Sequence, residues 1–311
     1  MNVLFVCSGN EGEIKPFILE QANSLERLGI KVNFFVISGK GVLGYLKNLR
    51  LFKSELKSLN VELIHAHYGL SGLLSTLQRK VPVVITFHGS DINIWWVRLF
   101  SLLASRLASK SIFVSKKLAN QLRVKNAEII PCGVNTEKFT VLDKFIAREK
   151  LGLDNKKNII LFASRFDNKV KNYKLAKNAT DLIGNNHKLI ELKGYNREEL
   201  NLLLNAADLL LLTSHSEGSP QIIKEAMACN CPIVATDVGD IKEVIANTNG
   251  CYLSSFDAED VSTKIKNVLS MKSRTKGREN IMNLDNKLIA GRIVSVYKKI
   301  LKTKPKHGHK N

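Results

Sequence analysis

Asp208-Leu-Leu-Leu-Leu-Thr-Ser214 leads through His215 and Ser216 into Glu217-Gly-Ser-Pro-Gln-Ile-Ile-Lys-Glu225 and on into Ala-Met-Ala-Cys-Asn-Cys-Pro-Ile-Val-Ala-Thr236. The unbroken apolar run of the first segment reads as a strand buried on both faces, the pattern of a parallel sheet. Ser219 reads as the N-cap and Pro220 as the first residue of a helix. Glu217 then falls in the loop at the strand's carboxyl end, and Glu225 about a turn and a half into the helix. In an open α/β sheet that edge is where ligands bind, and the helix start offers N–H groups to an anion. Two carboxylates beside such a cradle suit sugar hydroxyls, while the amides suit phosphate. A lone Glu on a helix is usually a solvated residue, so the pair and its setting carry the reading.

Outward from this stretch, apolar runs alternate with helical patterns. Asn2–Ser8, Lys31–Ser38, Val61–His65, Val83–Phe87, Ser111–Ser115 and Glu128–Pro131 read as strands of a first half. Amphipathic stretches at Phe17–Leu28, Tyr45–Leu59 and Ile94–Ser109 lie between them. A second series runs through 158–163, Lys188–Leu192, Asp208–Thr213, Pro232–Thr236 and Cys251–Ser254. Alternation of this kind predicts βαβ units and doubly wound parallel sheets, here two Rossmann-like halves facing a cleft. The turn residues at Pro131–Asn135 mark a linker. The expected division is residues 1–138, residues 139–285, and a terminal segment 286–311 whose helix at Asn286–Leu301 is followed by a basic tail. Between Arg165 and Asp208 the second half is short, and one βα unit is expected to be abbreviated.

The chain has 311 residues, 44% of them hydrophobic, enough for two cores of ordinary size. The N-terminus lacks the basic, apolar and cleavage regions of a signal peptide, and no uninterrupted apolar window approaches a bilayer span. Five cysteines, an odd number, read as free thiols in a reducing cytoplasm, and Cys229-Asn-Cys231 as structural. Lys and Arg total 47 against 28 acids, a net charge of +19, which implies a polyanionic partner. Nucleic acid is not expected: aromatics are only 7%, and no helix-turn-helix, zinc-finger, RRM or KH pattern occurs. An anionic membrane surface fits better, with the protein cytoplasmic and peripheral at the inner face. Tyr45–Leu59 sets Lys47, Arg50, Lys53 and Lys57 against Leu46, Leu49, Phe52 and Leu56, which suits anionic lipid but equally a helix packed on a sheet. The apolar stretch from Trp95-Trp96 is expected to be core packing or a cleft wall.

Further residues carry candidate chemistry. Arg165 follows the strand 158–163, and Lys171 lies six residues on, with Lys169 as a rival. A guanidinium fork and an ammonium together suit a diphosphate. His88-Gly-Ser-Asp91 stands at the end of the strand Val83–Phe87. Weaker signals are Gly9 and Gly12 after the first strand, and His65-Ala-His67, where acceptor contact or packing is preferred to metal binding. Asp237-Val-Gly239-Asp-Ile-Lys-Glu243 follows the strand Pro232–Thr236.

Glu217 and Glu225, followed by "EAMAC" and "PIVAT", resemble the E-x7-E signature of glycosyltransferase family 4, the retaining enzymes of the GT-B fold. Arg165 and Lys171 resemble that family's R-x5-K pair, and His88–Asp91 its H-G-x-D segment. Asp240 replaces the second glycine of its G-G-x-x-E turn. The resemblance implies sugar transfer from a nucleotide-diphosphate donor to a saccharide or lipid-linked acceptor in surface polysaccharide or lipopolysaccharide synthesis. It implies no cofactor and no metal, since there is no D-x-D and the basic pair serves the diphosphate. Catalytic roles fall on His88, Arg165, Lys171 and Glu217. Donor contacts fall on those two cations, on Gly194, on the loop Glu217, Gly218 and Ser219, and on Gln221, Ile222 and Glu225 of the helix. His88 would stabilise charge, with the departing phosphate taking the acceptor's proton. Gly9, Gly12, His67 and Asp91 are weak acceptor-side candidates. A nucleotide-sugar 2-epimerase on the same architecture, and a non-catalytic basic binding protein, are the competing readings.

Overall fold

Parallel pairing with cover on both faces explains why the strands read as continuous apolar runs. The computed structural model describes residues 1–10, 12–124 and 127–303; the basic tail expected beyond the last helix lies outside them from residue 304 onward. Two compact units divide the chain: Met1–Gly133 together with the segment that begins at Asn286, and Val134–Asp285.

The first unit holds a six-stranded sheet of β1 (Asn2–Ser8), β2 (Lys31–Ile37), β3 (Leu63–His67), β4 (Val83–Phe87), β5 (Lys110–Phe113) and β6 (Glu128–Ile129), in the order β2-β1-β3-β4-β5-β6. The second holds β7 (Asn158–Phe162), β8 (His187–Glu191), β9 (Leu209–Leu212), β10 (Ile233–Thr236) and β11 (Cys251–Ser254), in the order β11-β10-β9-β7-β8. Every pairing among these strands is parallel. In each sheet the chain reverses its winding beside its first strand, between β1 and β3 and between β7 and β9. Such a switch point opens a crevice at the strands' carboxyl ends.

Alternation within the buried strands sorts side chains onto two cores. Ile159, Leu161, Leu210 and Leu212 pack with Ile223, Ala226 and Met227 on one face of the second sheet. Ile160, Phe162, Leu209 and Leu211 pack with Leu175, Ala176 and Ile265 on the other. Between Arg165 and Asp208 the alternation is complete, with helices Tyr173–Asp181 and Arg197–Ala206 flanking β8. Those two helices and the single strand β8, with the turn Lys169–Lys171, make up the whole of that segment.

Three expectations are corrected. The stretch Tyr45–Leu59 is two helices, Gly41–Leu46 and Leu49–Ser58. They part where the buried Asn48 donates its side-chain N–H to Ser38 O (2.9 Å) and Gly44 O (2.8 Å), bonds that compete with helix continuation. The helix Trp95–Leu107 does not bury its tryptophans: Trp95 is 76% exposed. Its inner face is made of Val97, Ser101, Ala104 and Ser105, small residues that let it lie close to the helix Gly69–Thr76. At Gly69 an added Cβ would overlap Ser101. Finally, Pro220 rather than Ser219 occupies the N-cap of the helix Gln221–Ala228, because the Ser219 hydroxyl is engaged elsewhere.

All five cysteines are free thiols, and burial pushes the Cys7 thiol up to about 11 and Cys251 up to about 12. No described helix is long and apolar enough to cross a membrane.

Candidate functional site

In the second unit the switch point between β7 and β9 gathers most of the expected donor residues. Beyond β7 the chain passes Arg165 and makes a 3-10 turn, Lys169–Lys171, started by the Asn168 side chain, which accepts from Val170 N–H (3.2 Å). The Thr213 hydroxyl, just past β9, donates to Lys171 O (2.9 Å) and Asn172 O (3.0 Å), and His215 N–H donates to Val170 O (2.9 Å). These bonds lash the turn to the loop after β9. As a result Lys171 Nζ reaches Glu217 Oε1 at 2.7 Å, both half-buried, while Lys169 is exposed. Of the two rival lysines, Lys171 is the one brought to the carboxylate. Arg165 stands apart at the surface, its Nε 3.3 Å from Asp167 Oδ1, a pairing of little energetic consequence.

Glu225 is 2% exposed and accepts from Arg197 Nη1 at 2.7 Å. The guanidinium carbon of Arg197 lies 4.6 Å from the Phe139 ring centroid, so an aromatic face and a carboxylate fix the cation from two sides. Glu217 and Glu225 therefore each have a dedicated basic partner. Arg197 begins a helix whose Asn196 and Glu199 form a reciprocal capping box, and Gly194, at φ +79°, turns the chain into it from β8. Glu191 Oε2 of β8 accepts from Phe166 N–H (2.8 Å), fastening the Arg165 loop to the neighbouring strand.

Ser219 Oγ donates to Asp240 Oδ2 at 2.5 Å, and Lys224 Nζ bonds Ser219 Oγ and lies 3.5 Å from the same Asp240 oxygen. Lys224 is wholly buried. The loop backbones approach closely: a Cβ on Gly239, itself at φ +65°, would lie 2.7 Å from Gly218 O. Gln221 Oε1 and Ser214 Oγ are buried without a hydrogen-bond partner, while Gln221 and Ile222 are half-buried on the first helical turn. Arg197, Lys224 and Asp240 were not singled out as partners from sequence. The one signal was Lys224, a second charge beside Glu225 in a helix whose other buried residues are apolar.

In the first unit the switch point lies between β1 and β3. His67 ends β3 and His88 follows β4. Their rings stack with centroids 5.4 Å apart, and His67 Nδ1 is 3.1 Å from His88 Nε2. His65 stacks on His67 at 4.7 Å, with its Nδ1 2.5 Å from the Tyr297 hydroxyl and its Nε2 2.7 Å from Thr86 Oγ1. Burial lowers the pKa of His67 to about 3 and that of His65 well below the usual range, so both rings are neutral. His67 is fully buried between the His65 and His88 rings. Phe17 and Tyr68 flank the His88 ring at 4.9 and 4.7 Å, and Tyr68 holds φ at +73°, a strained conformation at the strand's end.

Asp91 is buried as well. Its carboxylate accepts from Gly89 N–H (2.8 Å), His88 N–H (3.2 Å) and Gly69 N–H (3.2 Å). Burial nevertheless raises its pKa to about 6. Asp91 thus shapes the His88 loop. Gly9 follows β1, where a Cβ would come within 2.5 Å of Val36 Cγ1, and Gly12 turns the loop at φ +93°. Among the described residues no group of three His, Cys, Asp or Glu side chains could hold a metal ion.

Two parallel units with clustered side chains at their switch points define the GT-B class of sugar transferase. The fold matches sucrose-phosphate synthase from Thermosynechococcus elongatus with a TM-score of 0.85 at 17% identity, covering 98% of this chain and 100% of that one. It also matches Anabaena HepE in complex with UDP, with a TM-score of 0.77 at 16% identity, covering 96% of this chain and 100% of that one. Residues 2–138 match the family described as Glycosyltransferase Family 4, and residues 169–271 match Glycosyl transferases group 1. An uncharacterized glycosyltransferase of Methanocaldococcus jannaschii is 27% identical over 293 residues, 86% of this chain and 80% of that protein. N,N'-diacetylbacillosaminyl-diphospho-undecaprenol alpha-1,3-N-acetylgalactosaminyltransferase of Campylobacter jejuni is 26% identical over 338 residues, 91% of this chain and 89% of that protein. The chain belongs to glycosyltransferase family 4 and is a glycosyltransferase.

Proposed function

We propose that this enzyme transfers a sugar, with retention of configuration, from a nucleotide-diphosphate donor to a saccharide on a lipid carrier during surface-polysaccharide assembly. The carrying observation is the Lys171–Glu217 pair, 2.7 Å long, at a parallel-sheet switch point, with the buried Glu225 eight residues further on. As the glycosidic bond breaks, charge gathers on the leaving diphosphate. Lys171 is held ready for that charge by Thr213, and Arg165, exposed on its loop, adds a second cation. The two cations do the work a divalent metal does elsewhere. Glu217 orients the sugar through its hydroxyls, and Glu225 accepts from the ribose. His88 stabilises the reaction centre while the departing phosphate takes the acceptor's proton. Support for a lipid-linked acceptor comes from the Campylobacter relative, named for transfer onto a diphospho-undecaprenol carrier, and from the charge of +19. That acceptor places the enzyme at the inner face of the membrane as a peripheral protein.

The test is a screen of nucleoside diphosphates for thermal stabilisation, because a ligand bound only by the folded state raises stability by about 2.7 kcal/mol at 100-fold excess over Kd. At least one diphosphate should stabilise the wild type, and Lys171→Met should weaken the effect. Equal stabilisation of wild type and variant by every nucleotide, or none in either, rejects the assignment.

A further inference from the structure

We propose that the outer face of the helix Trp95–Leu107 is a docking surface for an anionic lipid bilayer. Trp95, Leu99 and Leu103 are 76%, 62% and 46% exposed, and their spacing of four residues places them in one stripe along the helix. Ile94 and Trp96, also exposed, widen the stripe at its N-terminal end. Such a contiguous apolar surface marks an interaction site in a water-soluble fold.

Charge identifies the partner. From Ile92 to Val124 the sequence contains Arg98, Arg106, Lys110, Lys116, Lys117 and Arg123 and not one Asp or Glu. Arg98, Arg106 and Arg123 line a groove beside the stripe, shared with the neighbouring helix Lys116–Leu122. An apolar strip with two tryptophans at one end and arginines along its flank is the arrangement of a helix lying in the interfacial layer. Indole rings sit among headgroups, leucines enter the acyl boundary, and guanidinium groups meet lipid phosphates.

The surface is tied to the His88 loop. Ser101 Oγ on the helix's inner face donates to Asp91 O at 2.7 Å, and the Asp91 carboxylate holds Gly89 N–H at 2.8 Å. A helix seated on the bilayer therefore holds His88 near the headgroup level, where the saccharide of a membrane-anchored acceptor starts. In this respect the inference rests on the lipid-linked acceptor proposed above.

Trp95 and Trp96 are the only two tryptophans of the chain, so intrinsic fluorescence reports this surface alone. The full-length protein is titrated at low salt with vesicles of phosphatidylglycerol and phosphatidylcholine, and with phosphatidylcholine alone. Anionic vesicles should shift the emission to the blue and, with brominated acyl chains, quench it. Affinity for the neutral vesicles should be about tenfold lower or less, and added salt should weaken the anionic binding. Leu99→Ser with Leu103→Ser, and separately Arg98→Gln with Arg106→Gln, should each lower vesicle affinity about tenfold while transfer to a short soluble acceptor persists. The exposed leucines are chosen because they contribute little to the core. Sedimentation with anionic vesicles without a tryptophan response would overturn this surface and leave the membrane reading standing. No vesicle binding at low salt would overturn both. Self-association that shields the tryptophans in the absence of lipid would assign the stripe to a second copy of the chain and likewise overturn the proposal.

Discussion

Lys224→Met is the substitution whose outcome the structure specifies most fully. Methionine keeps the length of the side chain and removes its ammonium. Lys224 is 0% exposed and Asp240 6%, so neither charge has access to bulk water. After the substitution Asp240 Oδ2 still accepts from Ser219, but Oδ1, already without a partner, stays so, and the carboxylate is buried and uncompensated. Removing one member of a buried ion pair costs about 3–5 kcal/mol, and the burial here places the effect in that range. Asp240→Asn in the Lys224→Met background removes the stranded charge and should recover part of the loss. A double-mutant cycle should accordingly show coupling of about 2 kcal/mol or more, where independent sites add to within about 0.5 kcal/mol. The assay is urea unfolding followed by far-UV circular dichroism. Both tryptophans lie in the first unit, so fluorescence separates that unit's unfolding from the effect in the second. Because Ser219 is two residues from Glu217, the single variant should also raise KM for the donor. A cost below about 1 kcal/mol with additive single variants would refute the reasoning.

Glu225→Gln should weaken nucleotide binding by roughly 10- to 100-fold in calorimetry, the equivalent of one charge-assisted hydrogen bond, while the variant stays folded. Transfer should survive EDTA, whereas Arg165→Ala should lower kcat with little change in KM for the donor, as measured in initial-rate kinetics. His67 and His65 are held neutral by burial, so the unfolded chain binds protons that the native unit does not; stability should fall as pH drops below about 6.5 towards 3. Asp91, raised to about 6, acts in the opposite sense between roughly pH 4 and 6, where the native state holds the extra proton and stability falls as pH rises. Fluorescence-detected urea unfolding across pH should show His67→Asn reducing the acid slope by up to about 1.4 kcal/mol per pH unit. Gly69→Ala, which drives a Cβ into Ser101, should cost about 1–3 kcal/mol in the same assay, and Ser101→Gly should restore part of it.

Much of the fold was legible because a parallel sheet writes itself as unbroken apolar runs. Leu209–Leu212 could be placed from sequence alone, and with it the loop carrying Glu217 and the helix carrying Glu225. Side-chain partners were not legible. Arg197 meets Glu225 across 28 residues, and His65 meets Tyr297 across 232; such pairs are created by strand order, which leaves no spacing rule to read. The Trp95 helix misled in another way. Trp95, Leu99 and Leu103 point outward, and the face that packs is built from Val97, Ser101, Ala104 and Ser105, so hydrophobicity alone misjudges the buried side. At Ser219 the local capping preference lost to a tertiary demand, the hydrogen bond to Asp240.

The last helix, Asn286–Thr303, belongs to the first unit although it is the last part of that unit to be synthesised. A ribosome delivers Gly133 and then the whole of Val134–Asp285 before it releases that helix, a delay of roughly 8–30 s at ordinary elongation rates. The second unit, being continuous, can complete itself as it emerges. The first unit must wait with its β3 histidines lacking the Tyr297 hydroxyl that closes over His65. Order of birth and order of completion are thus inverted: the N-terminal unit is begun first and finished last.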